Sequence, residues 1–141
     1  METRLRWTGV VLALALVGCT ASNGSSGGAT TGDAARGEAL FKQSTIGTAS
    51  APGCSTCHSL DGSTLVGPSQ AGVVARAEAA LKSADYKGSA KTVAEYLKES
   101  IVTPDAFVEQ GFTPGVMYQT FGKELSDQEI ADLVAFLMTQ R

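Results

Sequence analysis

Cys54, Ser55, Thr56, Cys57 and His58 stand in one unbroken run, and His58 is the only histidine among 141 residues. Two thiols at this spacing can add to the two vinyl groups of one porphyrin, while the imidazole that follows meets the iron from one face. A Cys-x-x-Cys-His string therefore reads as covalent attachment of a c-type haem. The competing chemistries fit less well. A structural zinc site needs four ligands, and this run offers three. A thioredoxin-like redox pair calls for a βαβ setting that the sequence lacks. A plain Cys54–Cys57 disulfide gives His58 no task.

An iron held by His58 needs a sixth ligand or an open position. With one His, bis-histidine ligation within the chain is impossible. Of the three Met, Met1 leads the chain and Met138 falls at the edge of a C-terminal apolar stripe, where packing accounts for it. Met117 lies about sixty residues after His58, in the segment from Phe112 through Pro114 and Gly115 to Phe121 and Gly122. A Gly/Pro-shaped loop can curl over a flat group, so Met117 is the natural distal ligand. Axial His and Met together raise the reduction potential of a haem, and they fill the coordination sphere against oxygen or peroxide.

These residues need helices to hold them. Asp33 can cap a helix over Ala34–Lys42, with Gly37 and Phe41 on one face. Gly37 costs about 1 kcal/mol relative to Ala there, which demands a packing reason. Ser126-Asp127-Gln128-Glu129 is a capping box, followed by Ile130, Leu133, Val134 and Leu137 at helical spacing. A third helix is expected over Thr92–Ile101, with Val93, Tyr96, Leu97 and Ile101 inward, stopped by Pro104. The expected class is all-α: three to four helices with long loops. So thin a core for 109 residues points to a cofactor that supplies apolar contacts.

The N-terminus has a different character. Arg4 and Arg6 precede an apolar run from Val10 to Val17 that ends at Gly18-Cys19, which reads as an export signal. Thr20–Gly32 holds only Thr, Ala, Ser, Asn and Gly, a composition that makes a flexible tether. Thirteen such residues reach roughly 20 Å at about 5–6 Å × √n. The expected division is 1–18 as signal peptide, 19–32 as tether, and 33–141 as the folded domain. Losing residues 1–18 removes one Glu and two Arg, which moves the formal net charge from −3 to −4. An acidic chain of this kind has no footprint for nucleic acid. Its lysines are scattered, and no metal site other than the haem iron is evident.

Taken together, these motifs resemble the class I monohaem cytochromes c over roughly Asp33 to Arg141. Those that carry the resemblance are Gly37-Glu38-Ala39-Leu40-Phe41, Cys54-Ser55-Thr56-Cys57-His58, Val66-Gly67-Pro68, Tyr96 to Ile101, Met117 with Phe121, and Leu133 to Leu137. The stretch from Tyr96 to Phe121 is similar to the cytochrome c domain of haem-copper oxidase subunit II, without a preceding copper domain. Leu16-Val17-Gly18-Cys19 resembles the lipobox of bacterial lipoproteins, which implies a lipid on Cys19. The resemblance further implies that Gly37 and Phe41 cross the last helix at Leu133 and Phe136. It also implies that the Pro68 carbonyl accepts the ring N–H of His58 and that Met117 is the distal ligand. This chain departs in having Tyr118 after Met117, where Pro is common, and without residues 1–18, which hold its one Trp, it lacks the Trp many relatives aim at a haem propionate. Tyr86, Tyr96 and Tyr118 are the substitutes on offer.

The function expected on this basis is one-electron transfer by one covalent haem c. The protein would be a carrier between redox complexes, or the haem-c subunit of one, lipid-anchored on the extracytoplasmic side of a bacterial membrane. Its partners would be redox proteins, with no small-molecule substrate and no catalytic residue. The alternative is a haem enzyme or sensor with an open or displaceable sixth position, which would bind CO quickly when ferrous.

Overall fold

The computed structural model describes Met1 and residues 30–141. Cys19 and most of the expected signal segment and tether lie outside the described residues. Five helices follow in chain order: α1 Ala34–Phe41, α2 Val73–Lys82, α3 Val93–Val102, α4 Phe121–Glu124 and α5 Asp127–Leu137. A two-stranded antiparallel ribbon, β1 Thr45–Ile46 and β2 Ala51–Pro52, pairs Ile46 with Ala51 between α1 and the cysteines. Among the described residues no helix is long and apolar enough to cross a membrane.

The caps behave as their side chains dictate. Asp33 accepts the Ala35 and Arg36 amides, and Ser126 and Glu129 form a reciprocal box at the start of α5. Thr92 and Glu95 do the same for α3, which runs one residue past the expected end. Helix α2 departs from the expectation of a long loop. Its buried stripe is Val73, Val74, Ala77 and Ala80, largely small residues. Gly72 before it offers no capping side chain, so neither usual marker of a helix start is present.

Helices α1 and α5 cross most closely, as the resemblance implied. A Cβ on Gly37 would land on the Asp132 carbonyl oxygen and 2.8 Å from Phe136 Cβ. Only a glycine lets the two backbones meet. Phe41 then packs its ring 5.4 Å from that of Phe136, and Leu133 beside it is 1% exposed. The polar edge is equally well matched. Arg36 donates to both carboxylate oxygens of Asp132, at 2.8 and 2.9 Å, while the Asp33 amide and Gln128 add 2.7 and 2.8 Å bonds. With Arg36 as the main cause, the buried Asp132 carboxyl is held down to about 2.

Candidate cofactor site

Between this crossing and the middle of the chain lies an apolar cavity of about 400 Å³. Its walls come from α1, α3 and α5 (Phe41, Leu97, Ile101, Leu133) and from the loops on either side of α3. Cys54, Cys57, His58 and Met117 all line it. One cavity thus gathers residues that the sequence separates by 63 positions.

The cysteine run is a single tight turn. The Cys57 and His58 amides both donate to the Cys54 carbonyl, at 3.1 and 2.9 Å, and Thr56 Oγ1 donates to the Gly53 carbonyl at 2.6 Å. Both thiols are free rather than joined to each other. Burial pushes the Cys54 thiol up to about 11, which keeps the unattached side chain protonated.

His58 is fixed by its neighbours. Its Nδ1 lies 2.8 Å from the Pro68 carbonyl, which can only accept. That bond leaves the lone pair on Nε2. Burial lowers the His58 pKa, partly opposed by the Pro68 carbonyl, which favours the neutral ring that metal ligation needs. Gly67 makes room: a Cβ there would strike the ring at Cε1 and stand 2.8 Å from Nδ1. Gly67 also donates to the Cys57 carbonyl at 2.9 Å, clipping the loop to the cysteine turn.

Met117 is placed by a different device. Asp105, in the 3₁₀ turn Pro104–Ala106 after α3, accepts from the Gly115 amide at 2.9 Å and from Gln119 Nε2 at 3.4 Å. Gln119 also donates to the Met117 carbonyl at 2.7 Å. Tyr118, standing where relatives often have Pro, sends its hydroxyl to Glu124 at 2.5 Å and packs its ring 5.0 Å from that of Phe121. The loop is therefore tied at both ends, to the turn after α3 and to α4. Met138 caps α5 and packs against the apolar core, outside the cavity wall.

Of the three tyrosines, Tyr86 gives its hydroxyl to Glu99 and does not line the cavity. Tyr96 and Tyr118 do line it, and burial pushes Tyr96 up to about 12. Sequence reasoning passed over Gln70, which is buried with its amide nitrogen 2.9 Å from His58 Nδ1. It also passed over Arg76, which donates to the Ala71 carbonyl at 2.7 Å and to that of Ser69, pinning the loop after Pro68.

A haem fits these residues. The cavity falls within the ~300–1,000 Å³ of organic cofactor sites, and two free thiols, a neutral imidazole and a thioether all line it. The imidazole and the thioether suit haem iron, and the two thiols suit the vinyl groups of its porphyrin. Among the described residues no cluster of His, Cys, Asp and Glu offers a site for another metal.

Comparison with known proteins agrees. The family model for Cytochrome c matches residues 34–141. A cytochrome c2 of Rhodopseudomonas palustris is 34% identical over 125 residues, covering 76% of this chain and 97% of its own length. A second cytochrome c2 of that species is 32% identical over 145 residues, covering 92% of this chain and 96% of its own length. The chain belongs to the cytochrome c family, as a class I monohaem member that carries one covalent haem c and serves electron transfer rather than enzymatic catalysis.

Proposed function

We propose that the protein is an extracytoplasmic one-electron carrier, tethered to a bacterial membrane by a lipid on Cys19, with His58 and Met117 as the axial ligands of its haem iron. The division into signal (1–18), tether (19–32) and domain (33–141) belongs to the same reading. The observation that carries the ligand assignment is the meeting of Cys54, Cys57, His58 and Met117 on one apolar cavity.

Bound haem supplies a one-electron Fe(II)/Fe(III) couple. The chain's residues do the rest. Cys54 and Cys57 would hold the porphyrin through one thioether each, from Sγ to a former vinyl carbon. Pro68 fixes the ring of His58, and ties of this kind raise ligand basicity. Asp105 and Gln119 hold the Met117 loop in place. Val66 and Val116, 58% and 54% exposed on the cavity wall, leave an apolar rim where a redox partner can approach the haem edge. Whether that partner is met by diffusion or within one complex, the short leash keeps it near the membrane.

Fractionation tests the tether. The parent protein is expected in the membrane pellet and Cys19→Ser in the soluble fraction. A variant that stays in the pellet would overturn the lipid assignment. Titration with a one-electron reductant tests the carrier role, with full reversibility over repeated cycles as the expected result.

A further inference from the structure

The loop after Pro68 carries a buried polar side chain with no packing reason to be polar. Gln70 is 9% exposed, and an amide is costly to bury without partners. Its backbone is held firmly: the Gln70 amide donates to the Ser59 carbonyl at 2.7 Å and the Gln70 carbonyl accepts from Val73 at 3.1 Å. On either side, Ser69 Oγ accepts from Gly62 and Ala71 at 3.0 and 3.2 Å. The side chain is thereby delivered to the His58 ring, its amide nitrogen 2.9 Å from Nδ1 and 3.4 Å from the Pro68 carbonyl.

One ring nitrogen cannot serve both neighbours in this arrangement. The Pro68 carbonyl only accepts, so it needs a hydrogen on Nδ1. An amide NH2 only donates, so it needs a lone pair there. Ligation of iron through Nε2 decides the matter, because a neutral imidazole then carries its one hydrogen on Nδ1. The amide nitrogen and oxygen of Gln exchange places by a half-turn about the last side-chain torsion. With that half-turn, Oε1 faces Nδ1.

We propose that Gln70 is a positioning residue for the axial histidine: its amide oxygen and the Pro68 carbonyl share the Nδ1 hydrogen of His58, and this second acceptor favours the oxidised iron. A stronger pull on Nδ1–H makes the imidazole a better donor through Nε2, and ferric iron gains more from that than ferrous iron. The inference rests on His58 being the axial ligand.

The test compares the haem-loaded parent with Gln70→Leu and Gln70→Glu, each equilibrated against a soluble redox mediator of fixed potential. The Nδ1 proton of His58 is followed by NMR in the diamagnetic ferrous state. Gln70→Leu removes the acceptor. It is expected to move the equilibrium toward reduced protein by about tenfold, the low end of the effect of neighbours that orient a metal ligand, and to move the Nδ1 proton upfield. Gln70→Glu keeps an acceptor oxygen and is expected to return both readouts to the parent values or beyond them. An Nδ1 proton unmoved in Gln70→Leu, or Leu and Glu variants displaced to the same side of the parent, would overturn the proposal. The parent's own spectrum separates the two levels of argument: without a low-spin spectrum, the ligand assignment itself fails before Gln70 is at issue.

Discussion

The α1–α5 crossing and the cavity beside it share walls yet are stabilised by different means. At the crossing every partner is in the chain: Gly37 meets the Asp132 backbone, Phe41 meets Phe136, and Arg36 and Asp132 satisfy each other. Across the cavity, Cys54, Met117 and Phe107 are only partly buried, packed against the core on one side. Apolar atoms that line a cofactor cavity gain their close-packed contacts from the group it holds. One region is complete as a polypeptide, and the other is shaped to be completed by a planar apolar group.

The largest expected effect comes from withholding that group. Replacing Cys54 and Cys57 by Ala should leave the domain largely unfolded by circular dichroism, with no cooperative thermal transition. A cooperative transition in this haem-free variant would show that the crossing can hold the fold unaided.

Next comes Gly37→Ala, which attacks the self-sufficient region. Its Cβ meets backbone on a buried face, which has little room to yield. A loss of about 3 kcal/mol is expected, at the upper end for overpacking, read from the denaturant midpoint of the haem-loaded protein.

A smaller effect is expected of Asp132→Asn. Weakening the charge-assisted bonds from Arg36 should cost about 2 kcal/mol. The same carboxyl makes a pH prediction. Its folded-state value, about 2, is depressed below the roughly 3.9 of an unfolded Asp. Its contribution is therefore present in full above about pH 4 and is lost as pH falls through the folded value near 2. Thermal melts of Asp132→Asn should lack this part of the parent's acid limb.

What the sequence made legible follows the same division. Helices α1, α3 and α5 announce themselves through Asp33, Thr92 and Ser126 as caps and through stripes of large apolar residues. Helix α2 has neither, since Ala77 and Ala80 are too small to mark a face and Gly72 cannot cap. The cysteine–histidine turn is local, so spacing alone reveals it. Pro68 required a resemblance, because ten residues separate it from His58 and a loop brings them together. Gly67 and Gln70 gain meaning only once the imidazole has a place. Asp132 looks like a surface acid, yet it precedes Leu133 and stands four residues before Phe136, both buried. Such contacts are tertiary, and no period or cap encodes them.

The most direct test of the central claim, that His58 and Met117 saturate the haem iron, is the optical spectrum of the intact protein, oxidised and then reduced, with and without CO. We predict a sharp c-type reduced band unaltered by CO. In the oxidised state we predict a weak long-wavelength iron–sulfur charge-transfer band, lost in Met117→Ala and retained in Met138→Ala. A high-spin spectrum that shifts with CO, or a charge-transfer band that survives in Met117→Ala, would contradict it.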